Sequence, residues 1–274
     1  DFVSPADSSL AVDLAARVAM CDSVRPDIFL SLHHNSNAAL DRDMNETQTY
    51  YPVGRDGADL DLARCIHRHL VRNLGIKPAK IMAGNFYVLR NAPADVPSVL
   101  GEPSMLSNPL VEEKLVTAEK MELEAQAYFL GLVEYFAGGR PYFKSELGSY
   151  TYYPDQDGTG PPLDPTSVRV TIDGEPQPFS ISADGTRLIR VPTRSGQYEI
   201  TGRNIAGRAT TPLRFHANAC SWGHTPDALS VEWSAFIGTP SDSIANEALF
   251  VWHASGDLLE PIQVFADGKG PEIG

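Results

Sequence analysis

Cysteine is scarce in this sequence. Three occur in 274 residues, Cys21, Cys65 and Cys220, and none forms a Cys-x-x-Cys pair. Neither a disulfide framework nor a cysteine zinc site is expected on that count. Positive charge is also in deficit: 22 Lys and Arg stand against 35 Asp and Glu, a formal net charge of −13. Nucleic acids and anionic membrane surfaces attract basic patches, so neither is an expected partner. No apolar run approaches the ~18 residues of a membrane span. No signal peptide is visible. The chain opens on Asp1 in mid-pattern, which reads as the middle of a domain and predicts an N-terminally incomplete fragment.

The first half carries alternating helix and strand signals. Ser8 to Val24 reads as a helix, with Leu10, Leu14, Ala15, Val18 and Ala19 on one face and Pro26 closing it. A strand follows at 27–34, then a polar loop at 37–46 and a short strand over Thr47 to Tyr51. Leu62, Ile66, Leu70 and Leu74 repeat at four, predicting a helix from Asp59 to Asn73 that Gly75 stops. Phe86 to Leu89 and Pro97 to Leu100 read as two more strands. Asn108-Pro109 starts a long helix, with Asn as cap and Pro at the first helical position. Its expected buried stripe is Ala118, Met121, Ala125, Phe129, Leu132 and Phe136, and Gly138-Gly139 ends it. The alternation predicts an α/β fold over 1–139, a mostly parallel open sheet flanked by helices.

Beyond Arg140 the texture changes. Pro, Gly, Asp and Thr rise, and helical periodicity vanishes. Val168, Val170 and Ile172 alternate with Arg169 and Thr171 ahead of an Asp173-Gly174 turn. Further short strands are expected at 188–191, 198–201 and 209–215. This spacing predicts an immunoglobulin-like β-sandwich over 140–216. Residues 217–274 read as a further β module or the rest of the sandwich, with strands at 248–252 and 262–265.

Two stretches carry chemistry. Asp27-Ile-Phe-Leu-Ser-Leu-His-His-Asn is a buried strand that ends abruptly in His33, His34 and Asn35. Pro97-Ser-Val-Leu-Gly-Glu-Pro-Ser-Met-Leu-Ser-Asn-Pro109 places Glu102 just past another. Open α/β sheets put their sites at strand C-terminal ends. If the two strands are neighbours, both side chains can face one crevice. Imidazole is the commonest zinc ligand, and a nearby carboxylate can serve as base. The plainer alternatives are histidines capping a strand and a carboxylate facing the dipole of the helix at 108–110.

Both stretches resemble signatures of the zinc-dependent N-acetylmuramoyl-L-alanine amidases with an amidase-3 type catalytic domain. The resemblance extends over about residues 1–139. It includes Arg17 in the helix before the histidine strand, Thr49 to Tyr51 and Phe86 to Arg90 between the signatures, and the closing helix. It implies a cell-wall hydrolase that cuts the amide between N-acetylmuramic acid and L-alanine. His33 would be a zinc ligand and Glu102 the catalytic carboxylate. Asn35 would orient the site, and Ser107-Asn108 would cap the helix that positions Glu102. His34 stands where a small residue is common and reads as a surface position or a partner behind the ligand. Peptidoglycan is the implied partner, and an extracellular or periplasmic location follows from it.

The family takes two further zinc ligands from a segment that this sequence does not match, so the chain alone is expected to be inactive and to bind zinc poorly. A zinc carboxypeptidase and a non-catalytic peptidoglycan-binding or regulatory relative are the alternatives. His67 and His69 lie two apart on a helix and read as packing or solvated residues. His216, Cys220 and His224 read as loop residues. Asp56, Asp59 and Asp61 read as a solvated helix start. The β module is expected to bind or space, with possible wall or protein contacts.

Overall fold

A computed structural model describes residues 10–37, 41–146, 149–189, 194–218, 236–238, 249–255 and 258–264. The chain divides into two compact units. The first comprises residues 1–142 with two later segments, Pro154–Pro162 and Arg203–Pro212. The second comprises 143–153, 163–202 and 213–274.

In the first unit the elements run α1 (Leu10–Val24), β1 (Phe29–Leu32), β2 (Thr47–Pro52), α2 (Ala58–Leu74), β3 (Ala79–Gly84), α3 (Tyr87–Arg90), β4 (Ser98–Glu102), α4 (Pro109–Leu115) and α5 (Ala118–Ala137). The sheet order is β1-β4-β2-β3. The β1–β4 and β2–β3 pairs are parallel, while β2 and β4 are antiparallel. The expected mostly parallel sheet is therefore a mixed one, with two parallel pairs joined head to tail.

Strand alternation gives this sheet two faces. On one, Ile28, Leu30, Val99, Tyr51 and Ile81 pack with Leu62, Ile66 and Leu70 of α2 and Ala127, Tyr128 and Tyr135 of α5. On the other, Phe29, Tyr50 and Leu100 pack with Leu14 and Val18 of α1 and with Val88 and Leu89. Leu62, Ile66 and Leu70 are fully buried, each contributing about 1.5–3 kcal/mol by its removal from water.

α2 ends as its sequence predicts: Gly75 takes φ +66°, and its N–H bonds the Val71 carbonyl. Three expectations fail locally. Phe86 to Leu89 is not a strand, because residues 87–90 form the one-turn α3, and the strand in this region is β3. The long helix is two helices, since Thr117 breaks it and recaps α5 by accepting from the Lys120 N–H. The buried stripe of α5 is Glu124, Ala127, Tyr128, Gly131 and Tyr135, while Met121 and Phe129 are exposed. The reason is close approach. A Cβ on Gly131 would lie 2.8 Å from the Ile66 Cα, so the small residues face α2.

The second unit is antiparallel. β5 (Tyr142–Glu146), β6 (Ser149–Tyr153), β7 (Leu163–Ile172), β8 (Glu175–Pro176), β9 (Ser180–Ile181), β10 (Arg187–Ile189), β11 (Gly196–Asn204), β12 (Leu213–Asn218) and β13 (Phe236–Gly238) form two sheets, ordered β5-β6-β10-β9 and β13-β12-β11-β7-β8. β14 (Leu249–Ser255) and β15 (Leu258–Val264) pair separately. Asp173 and Gly174 both take positive φ, +54° and +81°, as a two-residue turn between β7 and β8 requires. Tyr150, Tyr152 and Leu188 of one sheet and Val168, Val170, Ile172, Tyr198, Ile200 and Phe215 of the other share one apolar cluster. The Phe215 ring stacks on Tyr198 at 4.8 Å and on Tyr150 at 5.4 Å. Cys220 and His224 lie outside the described residues.

Candidate functional site

The two chemistry-bearing stretches end on adjacent strands. β1 and β4 pair in parallel, with Leu32 opposite Gly101. The ladder continues one step, where the His33 N–H donates to the Gly101 carbonyl at 3.0 Å. His33 and Glu102 follow these paired residues. Alternation puts both side chains on the face that bears Ser31 and Leu100. On the other flank of Glu102, β2 places Gln48 opposite it, and Lys80 of β3 is opposite Gln48. His33, Glu102, Gln48 and Lys80 thus form one row across the sheet.

Glu102 is buried, and its Oε2 has no hydrogen-bond partner among the described residues. Burial pushes its carboxyl up to about 7, against a smaller opposing pull from His34. The His33 Nε2 lies 2.9 Å from the Ser31 hydroxyl. His33 is exposed at its surface, and the partial desolvation of its ring, with Arg17 and His34 nearby, lowers its pKa, which favours the neutral imidazole that metals bind. Arg17 itself pairs with Asp13 at 2.9 Å.

His34 points to the opposite face. It is half-buried, and its Nε2 lies 2.9 Å from Glu124 of α5, which also takes Lys120. It is a strand-to-helix tie, neither a free surface position nor a partner of the His33 ring. Behind Glu102, a Cβ on Gly101 would meet the Tyr128 hydroxyl at 2.2 Å, so only glycine fits there.

Asn35 ties the loops together. Its backbone N–H donates to the Ser104 carbonyl at 3.1 Å, its carbonyl accepts from Leu106, and its side-chain Nδ2 donates to Gln48 Oε1 at 2.7 Å. Asn108 caps α4, where its side chain accepts from the Leu110 and Val111 N–H groups. His67 and His69 do not join the site: His67 meets Thr49, and His69 meets Glu134.

Asp59 and Asp61 are not the solvated helix start that their spacing predicts. Both are buried. Asp59 accepts from Arg55 and from the Ser98 N–H, and Asp61 accepts from Arg203 at 2.9 Å and the Ala209 N–H at 2.8 Å. Gln48 is the site residue that sequence reasoning missed. Its signal is the period-two run Glu46, Gln48, Tyr50, a polar stripe on one face of a short strand.

A catalytic zinc needs about three protein ligands. Among the described residues no three His, Cys, Asp or Glu side chains gather in a way that could hold a metal ion. His33 alone matches the implied set, so the described residues do not by themselves fit zinc.

Comparison with known proteins bears on residues 2–134, which match the model of a family described as N-acetylmuramoyl-L-alanine amidase. The match covers just under half of the chain. The N-acetylmuramoyl-L-alanine amidase LytC of Bacillus subtilis (strain 168) is 33% identical over 124 residues, 45% of this chain and 24% of that protein. The uncharacterized protein YqiI of the same organism is 30% identical over 124 residues, 45% of this chain and 58% of that protein. The solved catalytic domain of CwlV, an N-acetylmuramoyl-L-alanine amidase from Bacillus (Paenibacillus) polymyxa var. colistinus, is 30% identical, with 44% of this chain and 64% of that chain covered at a TM-score of 0.40. The chain therefore spans less than two thirds of each of these proteins. The stretches that carry His33 and Glu102 both fall inside the matched region, and residues 2–134 are by this measure similar to the N-acetylmuramoyl-L-alanine amidase family.

Proposed function

We propose that the first unit acts on peptidoglycan as an amidase, hydrolysing the bond between N-acetylmuramic acid and L-alanine. The observation that carries this reading is the placement of His33 and Glu102 on one face at adjacent strand ends, inside the region that matches the amidase family. Glu102 is the catalytic carboxylate. As base it takes a proton from the attacking water while the oxygen bonds to the amide carbon. As acid it returns that proton to the leaving amine, whose bond to carbon breaks. A carboxyl with a pKa of about 7 is matched to both steps near neutral pH. Asn35 and Gln48 hold the strand ends in place around it.

Zinc is the expected cofactor, and His33 is the ligand that this chain offers. One imidazole by itself is too few to hold the metal. The second unit is read as an immunoglobulin-like module that spaces the first or contacts the wall. An extracellular or periplasmic location follows from the substrate.

The test is release of stem peptides from purified sacculi by the full-length protein, with zinc supplied and with a chelator. Glu102→Ala should abolish release while zinc content stays unchanged. Unchanged release by that variant removes the amidase reading. Wall binding without catalysis is the alternative, favoured by the single matched ligand. Sedimentation with sacculi and no peptide release would support it.

A further inference from the structure

Gln48 lies beside Glu102 in the row that begins at His33, and it is buried. Its side chain makes three hydrogen bonds. Oε1 accepts from Asn35 Nδ2 at 2.7 Å and from the Tyr50 hydroxyl at 2.6 Å. Nε2 donates to Glu46 Oε2 at 2.7 Å. Glu46 is itself held by Lys80, whose ammonium lies 3.1 and 3.0 Å from its two oxygens. Both lone pairs of the Gln48 oxygen are thus used, and the charge-assisted Lys80–Glu46 pair fixes which end of the amide faces which partner.

The bond to Asn35 matters most. Asn35 is two residues past His33, and its backbone bonds Ser104 and Leu106, just past Glu102. Two further contacts reinforce the same junction: the Thr47 hydroxyl donates to the Pro103 carbonyl at 2.9 Å, and the Met105 N–H donates to Asn45 Oδ1 at 3.1 Å. A single buried amide on β2 therefore cross-ties the loops that leave both chemistry-bearing strands.

We propose that Gln48 is a positioning residue, which acts through Asn35 to hold the strand ends that carry His33 and Glu102 in register. This rests on the amidase reading for its effect on turnover. The placement of Asn35 is independent of that reading. Gln48→Met fills the same space without hydrogen bonds. Gln48→Glu keeps oxygen acceptors for Asn35 and Tyr50, and in its protonated form it also keeps a donor for Glu46 Oε2.

Two measurements on the full chain test it. The first follows the Asn35 side-chain amide by NMR. Gln48→Met should move its resonances to solvent-exposed values, and Gln48→Glu should leave them near the wild-type position. An Asn35 signal unmoved in Gln48→Met, or lost in a folded Gln48→Glu at a pH where its carboxyl is protonated, overturns the proposal. The second is stem-peptide release. Gln48→Met should lower kcat about tenfold with KM little changed, since misplacement of reacting groups costs rate rather than binding. Asn35→Ala should be non-additive with it, because residues in one network couple. Additive losses, or an unchanged kcat in folded Gln48→Met, also overturn it. If Glu102→Ala releases peptide at the wild-type rate, the amidase reading fails; where the chain alone is inactive, as its single matched zinc ligand implies, the Asn35 resonances alone decide the positioning.

Discussion

The two units bury different things. Every buried polar or charged side chain among the described residues, from Ser31, Glu46 and Gln48 to Asp59, Asp61, Glu102 and Glu124, belongs to the first unit. The described core of the second is aliphatic and aromatic throughout. A polar group taken from water is costly unless it is partnered, so the first unit has spent stability on specific bonds, yet the Glu102 Oε2 has no partner among the described residues. Among its described residues the second buries no Ser, Thr, amide or charged side chain. Chemistry is to be sought where burial is polar, and support where it is apolar.

The contrast can be broken at four points. The largest effect belongs to the aromatic core. Phe215→Ala removes a ring stacked on both Tyr198 and Tyr150, and it should cost about 3–5 kcal/mol by denaturant unfolding. Next is Asp61→Ala, which leaves the Arg203 guanidinium and the Ala209 N–H without their buried acceptor. Its expected cost is about 2–4 kcal/mol, discounted because Arg203 is partly exposed.

A smaller effect is pH-dependent. The Glu102 pKa is raised in the fold, to about 7 from an ordinary value of 4.5. Its contribution to stability is therefore fully present below about 4.5 and lost as pH rises through 7. In metal-free protein, thermal unfolding should show the wild type losing a few degrees relative to Glu102→Gln between pH 4.5 and pH 8. An equal response in both proteins would contradict a buried, unpartnered carboxyl. The smallest effect is at the surface of the second unit, where Arg214 pairs with Glu199 in solvent. Arg214→Gln should change stability by less than ~1 kcal/mol, and less still in high salt.

Legibility in the sequence followed the range of the interaction. The α2 helix, its Gly75 stop and the Asn108 cap depend on residues within a turn of one another, and they were readable. So were the strand ends at His33 and Glu102, because an apolar run followed by polar residues is local. Phe86 to Leu89 misled because a four-residue apolar run does not distinguish strand from helix. The face of α5 misled because large side chains were assumed to be inside. Contact with α2 selects Ala127 and Gly131 and leaves Phe129 in solvent. Asp59, Asp61 and Gln48 were misread or missed for a different reason. Their partners or neighbours lie far along the chain, as Ser98, Arg203 and Glu102 do, and no local pattern encodes that pairing.

Arg203 and Ala209 follow Asp61 by more than a hundred positions, yet they belong to the same compact body. Arg208 adds bonds to the Glu134 and Tyr135 carbonyls, and Asn204 bonds the Gly138 carbonyl at 2.8 Å. The fold is discontinuous in sequence, so a protease or an engineer cutting just past α5 would strip it of its own fasteners. Recombination that trades the β module must carry the 203–212 strip along, or supply a new cation for the carboxylate at position 61.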